Sequence, residues 1–212
     1  DKARFVIRNA LPLAEIDRVT PSSLSHFSLK PGEKLILAAG RFSRQKRFDR
    51  LIAAAGGLER KDFKVVICGE GDLKEEARSQ AESLGGSGRI YFPGFIPSKD
   101  IWALMKRADL FVNISDFEGM PNTVMEAMAC RCPLLVSDIP AHREFLDEDT
   151  AVLVDPDNKI ELIKELEKVI DTSGQRERSA RVERAREKTM NWTIEKMADR
   201  YQDCYHRIIS SG

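Results

Sequence analysis

The chain has 212 residues, which is enough for one well-packed domain. Its 34 basic and 34 acidic residues give a formal net charge of zero, so composition supports neither broad nucleic-acid binding nor an acidic-membrane patch. No apolar run approaches the roughly 18 residues that a membrane span needs, and no secretory leader is recognisable. We therefore expect a globular, cytoplasmic protein without nucleic-acid partners.

Short apolar runs alternate with longer helical patterns along the chain. Residues 35–38 and 65–68 are apolar throughout, as in strands that are covered on both faces. This alternation predicts an α/β fold with a doubly wound, Rossmann-like parallel sheet. The predicted strands are Phe5–Ile7, Lys34–Ala39, Lys64–Gly69, Ile90–Phe92, Leu110–Ile114, Pro133–Ser137 and Ala151–Val154. The predicted helices are Phe48–Ala55, Leu73–Leu84, Lys99–Arg107, Asn122–Cys130, Lys159–Asp171, Gln175–Lys188 and Thr193–Ile209.

The chain divides into three predicted parts. Residues 1–33 are expected to be a linker with an irregular lead-in, rich in Pro and Ser from residue 8 onward. Residues 34–190 are expected to carry the sheet, and residues 191–212 to form a final helix. The chain opens with Asp1 and not with Met, so we expect an excised fragment. None of the four cysteines forms a metal-type pair, which predicts reduced thiols.

Ligands of doubly wound sheets bind in the loops at the carboxyl ends of the strands. The first such loop runs from Gly40 to Lys46, where Gly40 permits a tight turn. Arg41 and Lys46 can converge there on a diphosphate, the guanidinium as a two-pronged donor and the ammonium as a point charge. A plain basic surface loop is the alternative.

Glu118 and Glu126 are separated by seven residues, and Pro121 between them can start a helix at its first position. Glu118 would then lie in the loop before the helix and Glu126 about a turn and a half inside it. The unpaired N–H groups of the first turn attract anions. The pattern fits a ligand with phosphate and hydroxyl groups, such as a nucleotide sugar. The alternative is an ordinary amphipathic helix with two solvated carboxylates.

Three further loops carry weaker signals. The turn at 69–71 lacks the third glycine of a dinucleotide-binding fingerprint, which argues against an NAD or FAD enzyme and favours a simple corner. Main-chain groups near Gly94, Phe95 and Ile96 could bind the edge of a nucleobase, or the segment is only a turn between core aromatics. His142 has no partner at metal-binding spacing, so we expect no metal site.

Together these loops resemble the nucleotide-binding half of retaining glycosyltransferases with the GT-B fold, the group 1 or family 4 class. The resemblance runs from about Val6 to the last helix, and its motifs arrive in family order. They are Gly40-Arg41 with Lys46, Glu118 and Glu126 followed by Ala127-Met128-Ala129, Pro133-Leu134-Leu135-Val136 with Glu144, and Trp192 with Tyr201.

The resemblance implies a site that transfers a hexose-type sugar from a UDP or GDP sugar, with retention and without a metal ion or other cofactor. Glu126 would accept hydrogen bonds from the two ribose hydroxyls, and Glu118 would hold the transferred sugar. Arg41 and Lys46 would neutralise the departing diphosphate. The implied catalytic residues are Arg41, Lys46 and Glu118. The implied donor-binding residues are Gly40, Gly94, Phe95, Ile96, Gly119, Met120, Asn122, Thr123 and Glu126.

The family resemblance also implies that this chain is the C-terminal lobe of a longer enzyme, with residues 34–190 as its nucleotide-sugar-binding domain. A missing N-terminal lobe would bind the acceptor, a glycan or a lipid-linked sugar as in polysaccharide biosynthesis, and the final helix would pack toward that lobe. The isolated chain is then expected to transfer little or no sugar. Peripheral attachment of the full-length protein to a membrane is left open, as are a non-catalytic nucleotide-binding domain and an epimerase or phosphorylase of the same fold.

The sequence departs from the family pattern at two places. Arg131 stands where the family usually has a glycine, in a helix stop that favours the left-handed conformation. A non-glycine residue there costs roughly 1–2 kcal/mol. Pro140-Ala141 stands where a glycine pair is common, which changes the expected path of that loop.

Overall fold

The computed structural model describes residues 6–22, 27, 29–86, 88–171 and 175–210. Its centre is a six-stranded sheet in which every neighbouring pair is parallel. The strands are β1 (Lys34–Ala39), β2 (Phe63–Cys68), β3 (Ile90–Gly94), β4 (Leu110–Asn113), β5 (Leu134–Ser137) and β6 (Val152–Val154). Their spatial order is β3-β2-β1-β4-β5-β6, which confirms the predicted doubly wound fold.

Helices connect these strands and extend beyond them at both ends. They are α1 (Leu13–Arg18), α2 (Phe48–Gly56), α3 (Lys74–Ser83), α4 (Ser98–Arg107), α5 (Asn122–Ala129), α6 (Pro140–Arg143), α7 (Lys159–Ile170), α8 (Gln175–Thr189) and α9 (Ile194–Ser210), with a 3-10 turn at Arg44–Lys46. The predicted helices are confirmed with small shifts at their ends, as are the predicted strands from Lys34 onward. None of the described helices is long and apolar enough to cross a membrane.

The strand order makes β1 and β4 the point where the chain changes direction across the sheet. β1 pairs with β2 on one side and with β4 on the other. The connections that leave the carboxyl ends of β1 and β4 therefore diverge to opposite faces and leave a crevice between them. The loop 40–46 follows β1 and the loop 114–121 follows β4, so the two predicted ligand-binding loops border the same crevice.

Two apolar cores cover the two faces of the sheet. Leu35 and Leu37 point into the core that α4, α5 and α8 share, whereas Ile36 and Ala38 point into the core of α2, α3 and α7. All four side chains are fully buried. Burial on both faces explains why residues 35–39 of β1 are all apolar, and it fixes the crevice between rigid layers.

The lead-in before β1 is more ordered than the sequence suggested. The prediction of an irregular segment missed α1, whose Leu13 and Ile16 lie one turn apart and are buried in the core. The Leu11 N–H donates to the Trp192 carbonyl over 2.7 Å, so the lead-in runs beside the start of α9. The strand predicted at residues 5–7 is not formed at Val6 or Ile7, and Phe5 lies outside the described residues.

The helix stop at the end of α5 has the expected left-handed geometry. Arg131 has φ 56°, and its N–H donates to the Met128 carbonyl while the Cys132 N–H donates to the Ala127 carbonyl. These two bonds form the Schellman motif that usually carries a glycine. The Arg131 guanidinium pairs with Glu183 of α8 over 3.1 Å, which gives this arginine a partner on the neighbouring helix.

The cysteines of the chain are free thiols. Burial raises the pKa of Cys68 and the pKa of Cys130 to about 12, and it raises the pKa of Cys132 strongly. These three thiols stay protonated and unreactive at neutral pH, as expected for buried structural cysteines.

Candidate functional site

An ion pair joins the two loops that border the crevice. The Lys46 ammonium donates to Glu118 Oε1 over 2.6 Å, although the residues are 72 positions apart. The Lys46 side chain is 16% exposed and the Glu118 side chain 6%, so the pair is largely removed from water. The structure thus brings together one cation and one carboxylate that the sequence assigned to the same site.

Gly40 lets the Lys46 side chain reach this position. The 3-10 turn at Arg44–Lys46 folds the loop back, and a Cβ added at Gly40 would lie 3.2 Å from Lys46 Cε. That distance is shorter than ordinary van der Waals contact between carbons. A larger residue at position 40 would therefore push the lysine away from Glu118.

Three neutral side chains that the sequence analysis did not assign also hold Glu118. Ser115 Oγ lies 2.6 Å and Asn113 Nδ2 lies 3.3 Å from Glu118 Oε1, and Gln45 Nε2 lies 3.2 Å from Oε2. Ser115 is fully buried and Asn113 is 5% exposed. The available signal was that polar residues interrupt the apolar run at the end of β4.

These contacts keep Glu118 ionised. Burial alone raises the pKa of its carboxyl, but the hydrogen bonds from Lys46 and Ser115 outweigh burial, and the net effect is a pKa below the ordinary value. Glu118 is therefore a carboxylate at neutral pH, able to accept hydrogen bonds but not to donate them.

Glu126 lies farther along α5, on the side that faces α4. Burial raises the pKa of its carboxyl, and a weak contact with the Trp102 indole N–H offsets part of the rise. The buried Trp102 Nε1 has no hydrogen-bond partner of normal geometry among the described residues. No described group makes a regular hydrogen bond to Glu126, so its oxygens retain capacity to bind hydroxyl groups.

The start of α5 differs in detail from the prediction. Pro121 caps the helix and Asn122 is its first residue, whereas Pro121 was expected at the first helical position. The Asn122 side-chain carbonyl accepts from Asn9 Nδ2 over 2.9 Å, and the Asn9 N–H lies 3.1 Å from Met120 Sδ. The lead-in therefore contacts two of the residues that were assigned to donor binding.

The remaining residues of the helix start and the Arg41 side chain are more open. Gly119 is exposed, and Thr123 lies in the first turn of α5, where backbone N–H groups have no carbonyl of the same helix to bind. Arg41 is exposed on the other loop and makes no ion pair with any residue that the structure describes. Its guanidinium is available to an anion, but among the described residues it forms no ion pair with Glu118 as Lys46 does.

Part of the main chain in the loop after β3 already makes hydrogen bonds within the protein. Gly94 has φ 85°, its carbonyl accepts from the Gly69 N–H over 2.7 Å, and the Phe95 N–H donates to Glu70 over 3.3 Å. The Phe95 N–H, one of the main-chain groups near the expected nucleobase site, is thus already bound within the protein. The Phe95 ring is 76% exposed and Ile96 is half-buried.

The turn at 69–71 has a structural role. A Cβ added at Gly69 would lie 1.9 Å from the Gly40 carbonyl oxygen, and one at Gly71 would lie 2.4 Å from the Phe42 carbonyl oxygen. Both glycines are therefore needed for the close approach of this turn to the loop 40–46. The turn fixes the back of that loop, which agrees with the simple corner expected from the sequence.

His142 lies in α6, next to the end of β5. It is fully buried, and its Nδ1 lies 2.7 Å from the Ser137 carbonyl oxygen. Burial lowers the pKa of His142, so the ring is neutral at physiological pH and Nδ1 is the donor. Within the described part of the chain, no cluster of three or more His, Cys, Asp or Glu side chains could hold a metal ion.

Comparisons with known proteins agree on the family. The family described as "Glycosyl transferases group 1" matches residues 23–188. The N-acetylgalactosamine-N,N'-diacetylbacillosaminyl-diphospho-undecaprenol 4-alpha-N-acetylgalactosaminyltransferase of Campylobacter jejuni is 30% identical over 168 residues, which cover 78% of this chain and 44% of that protein. A GDP-mannose-dependent alpha-(1-6)-phosphatidylinositol dimannoside mannosyltransferase of Mycobacterium tuberculosis is 30% identical over 165 residues, covering 76% of this chain and 42% of that one.

Solved structures share the fold. A glycosyltransferase from Rickettsia africae superposes with a TM-score of 0.87 at 19% identity, over 98% of this chain and 58% of that chain. Anabaena HepE in complex with UDP and glucose superposes with a TM-score of 0.79 at 20% identity, over 97% of this chain and 57% of that chain. This chain spans less than half the length of the curated relatives named above. It belongs to the group 1 glycosyl transferases and has the Rossmann-like fold of a GT-B C-terminal domain.

Proposed function

We propose that the crevice between β1 and β4 binds a nucleotide diphosphate sugar, and that this chain is the donor-binding domain of a glycosyltransferase. The observation that carries the proposal is the buried pair of Lys46 and Glu118 at the direction change of the sheet. Ligands of doubly wound sheets bind at this point. A cation and a carboxylate side by side suit a ligand that carries phosphates next to hydroxyls.

The diphosphate is proposed to lie between Lys46, Arg41 and the start of α5. An ammonium group has three N–H donors, and Lys46 uses one of them on Glu118, so two remain for phosphate oxygens. Arg41 supplies a second, exposed cation on the same loop. The first-turn N–H groups near Gly119 and Thr123 add the partial positive charge of a helix start. Together these groups would stabilise the negative charge that grows on the leaving diphosphate.

The nucleoside is proposed to lie on the side of α5 that faces α4. Glu126 is on this side and has two oxygens for the two ribose hydroxyls. The loop with Gly94 and Ile96 leads into α4, so a base bound there would be next to a ribose bound at Glu126. The carbonyl groups of Phe95 and Ile96 and the exposed ring of Phe95 are the proposed contacts to the base.

The donor is proposed to be a UDP or GDP sugar of the hexose type. The relative from Mycobacterium is named for GDP-mannose and the Anabaena structure contains UDP with glucose, so both bases occur among similar proteins. Transfer with retention and without a metal ion or other cofactor follows family precedent. The acceptor, a glycan or a lipid-linked sugar, would be bound by an N-terminal lobe.

The surface of α9 supports a missing lobe. Five large apolar residues of this helix are 45% or more exposed: Tyr201, Tyr205, Ile208, Ile209 and Ile194. The first three are spaced four and three positions apart, which places them on one helix face. We propose that this face packs toward the N-terminal lobe in a longer cytoplasmic or membrane-peripheral protein. The isolated chain should then bind donor weakly and transfer little sugar.

Calorimetric titration tests the nucleotide site. The native chain is titrated with UDP, GDP and ADP, and with the 2',3'-dideoxy form of the tightest ligand. Glu126→Ala should weaken the ribonucleotide about 10-fold or more, the scale of hydrogen bonds to a charged group, and should leave the dideoxy form unchanged. Glu167→Ala, an exposed glutamate on α7, is the matched control. Equal weakening of both ligands would remove Glu126 from the ribose site.

A further inference from the structure

Gln45 fastens the two loops of the crevice together. Its Nε2 donates to the Phe117 carbonyl over 2.8 Å and to Glu118 Oε2 over 3.2 Å, and its own carbonyl accepts from the Asp116 N–H over 3.0 Å. Three consecutive residues of the loop after β4 are thus held by one residue of the loop after β1. Among the described residues, Gln45 is the donor that reaches Oε2.

The two oxygens of Glu118 are not equivalent. Oε1 lies 2.6 Å from Lys46 Nζ, 2.6 Å from Ser115 Oγ and 3.3 Å from Asn113 Nδ2. A carboxylate oxygen has about two lone pairs, so these donors saturate Oε1. Oε2 accepts only from Gln45 within the described part of the chain, which leaves about one lone pair for a ligand.

The Oε1 side is a buried socket. Ser115 is fully buried and Asn113 is 5% exposed. Ser137 Oγ donates to the Ser115 carbonyl over 2.7 Å and is fully buried too, so the end of β5 fixes the residue that holds Oε1. Gln45 is only half-buried and binds from the opposite loop. The direction of the free lone pair therefore depends on Gln45.

We infer that Gln45 is a positioning residue for Glu118, and that it turns Oε2 so that the carboxylate accepts a hydrogen bond from one hydroxyl of the transferred sugar. The inference rests on the proposed function and deepens it: Glu118 accepts a hydrogen bond from a single sugar hydroxyl and not from two. Gln45 itself does not touch the donor. Its loss would affect the sugar and leave the nucleotide contacts in place.

The test compares nucleotide with nucleotide sugar in the same variant. Gln45→Met keeps the length of the side chain and removes the donor. Gln80→Met is the matched control, because Gln80 also ties two elements together, donating to the Asp49 carbonyl over 3.0 Å, but on α3. Each protein is titrated with UDP, UDP-glucose, GDP and GDP-mannose. Gln45→Met should lose about 5-fold to about 30-fold in affinity for the preferred nucleotide sugar and less than about 2-fold for its nucleoside diphosphate, with no change for Gln80→Met.

The outcomes separate the inference from the proposed function. Equal losses for nucleotide and nucleotide sugar mean a general structural role and overturn the inference, as does an unchanged Gln45→Met. Native protein that binds UDP-glucose no tighter than UDP, and GDP-mannose no tighter than GDP, also overturns it while leaving the nucleotide site standing. A native chain that binds none of the four ligands refutes the proposed function itself.

Donor sugars that lack one hydroxyl at a time test the single acceptor. One deoxy analogue should bind native protein and Gln45→Met alike, because it lacks the hydroxyl that Oε2 receives. The other analogues should still show the loss. Two analogues that both abolish the difference would overturn the claim of one accepted hydroxyl.

Discussion

Replacing Lys46 by Met tests the ion pair from two directions. Methionine keeps most of the apolar stem and removes the ammonium, which leaves the 6% exposed Glu118 carboxylate with neutral donors only. Removing one partner of a fully buried pair costs about 3–5 kcal/mol, but here three neutral hydrogen bonds remain. We expect the free energy of unfolding at pH 7 to fall by about 1–3 kcal/mol.

The effect should depend on pH with a definite sign. Lys46 is one of the groups that hold the pKa of Glu118 below its ordinary value of 4.5. A depressed pKa contributes stability that is present above the unfolded-state value and is lost as the pH falls through the folded-state value. The difference in unfolding free energy between native protein and Lys46→Met should therefore shrink as the pH is lowered from 7 to below 4.5. A difference that stays constant or grows on acidification would refute this electrostatic account.

Lys34→Met is the matched control for this experiment. Lys34 pairs with Asp109 over 3.0 Å, with side chains 23% and 20% exposed, at the opposite end of β1 from the crevice. Urea unfolding should show a stability loss of about 1 kcal/mol or less for this more exposed pair. Titration with UDP and GDP should show at least about 10-fold weaker binding for Lys46→Met and none for Lys34→Met. Equal binding losses in both variants would mean that Lys46 acts only through stability.

Three further predictions concern Glu126, the end of α5 and the turn at 69–71. Glu126→Gln should stabilise the protein at pH 7, because burial raises the pKa of the Glu126 carboxyl and an amide carries no charge to bury. Chemical denaturation should show that this gain in unfolding free energy vanishes below the ordinary pKa of 4.5, where the carboxyl is protonated in both states. The Arg131→Gly variant should be about 1 kcal/mol more stable than the Arg131→Ala variant in the same denaturation assay. Both variants lose the ion pair with α8, but only glycine adopts the left-handed backbone conformation at φ 56° without steric strain. Gly69→Ala should destabilise the protein by at least about 2 kcal/mol more than Gly85→Ala. Both glycines have positive φ, but a Cβ at Gly69 would clash with the Gly40 carbonyl oxygen, whereas a Cβ at Gly85 would meet open space. Similar melting temperatures of the two variants would contradict the close approach.

The fold was predictable where burial alone decides the pattern. Residues 35–38 of β1 and 65–68 of β2 are apolar on both faces because helices cover both, so these runs stand out in the sequence. Short helices were missed for the opposite reason, since α1 has only six residues and α6 only four. Signals existed in both, an apolar pair one turn apart in α1 and a proline at the first position of α6, but each is too brief to indicate a helix by itself.

The charged residues of the candidate site could be predicted from the sequence, whereas its neutral residues could not. Lys46 and Glu118 were singled out because a cation and a carboxylate after two strands suggest a ligand. Their contact requires that β1 and β4 are neighbours in the sheet. The residues of the two loops do not by themselves indicate the order of the strands. Gln45, Asn113 and Ser115 carry no charge, so their role became visible only through their distances to Glu118.

A crystal structure with UDP or GDP, whichever binds more tightly, tests the central claim most directly. The account predicts the diphosphate at the start of α5, with a phosphate oxygen within hydrogen-bond distance of the Lys46 ammonium and both ribose hydroxyls on the Glu126 carboxylate. A nucleotide bound away from the crevice between β1 and β4, or bound there with its ribose turned away from Glu126, would contradict it.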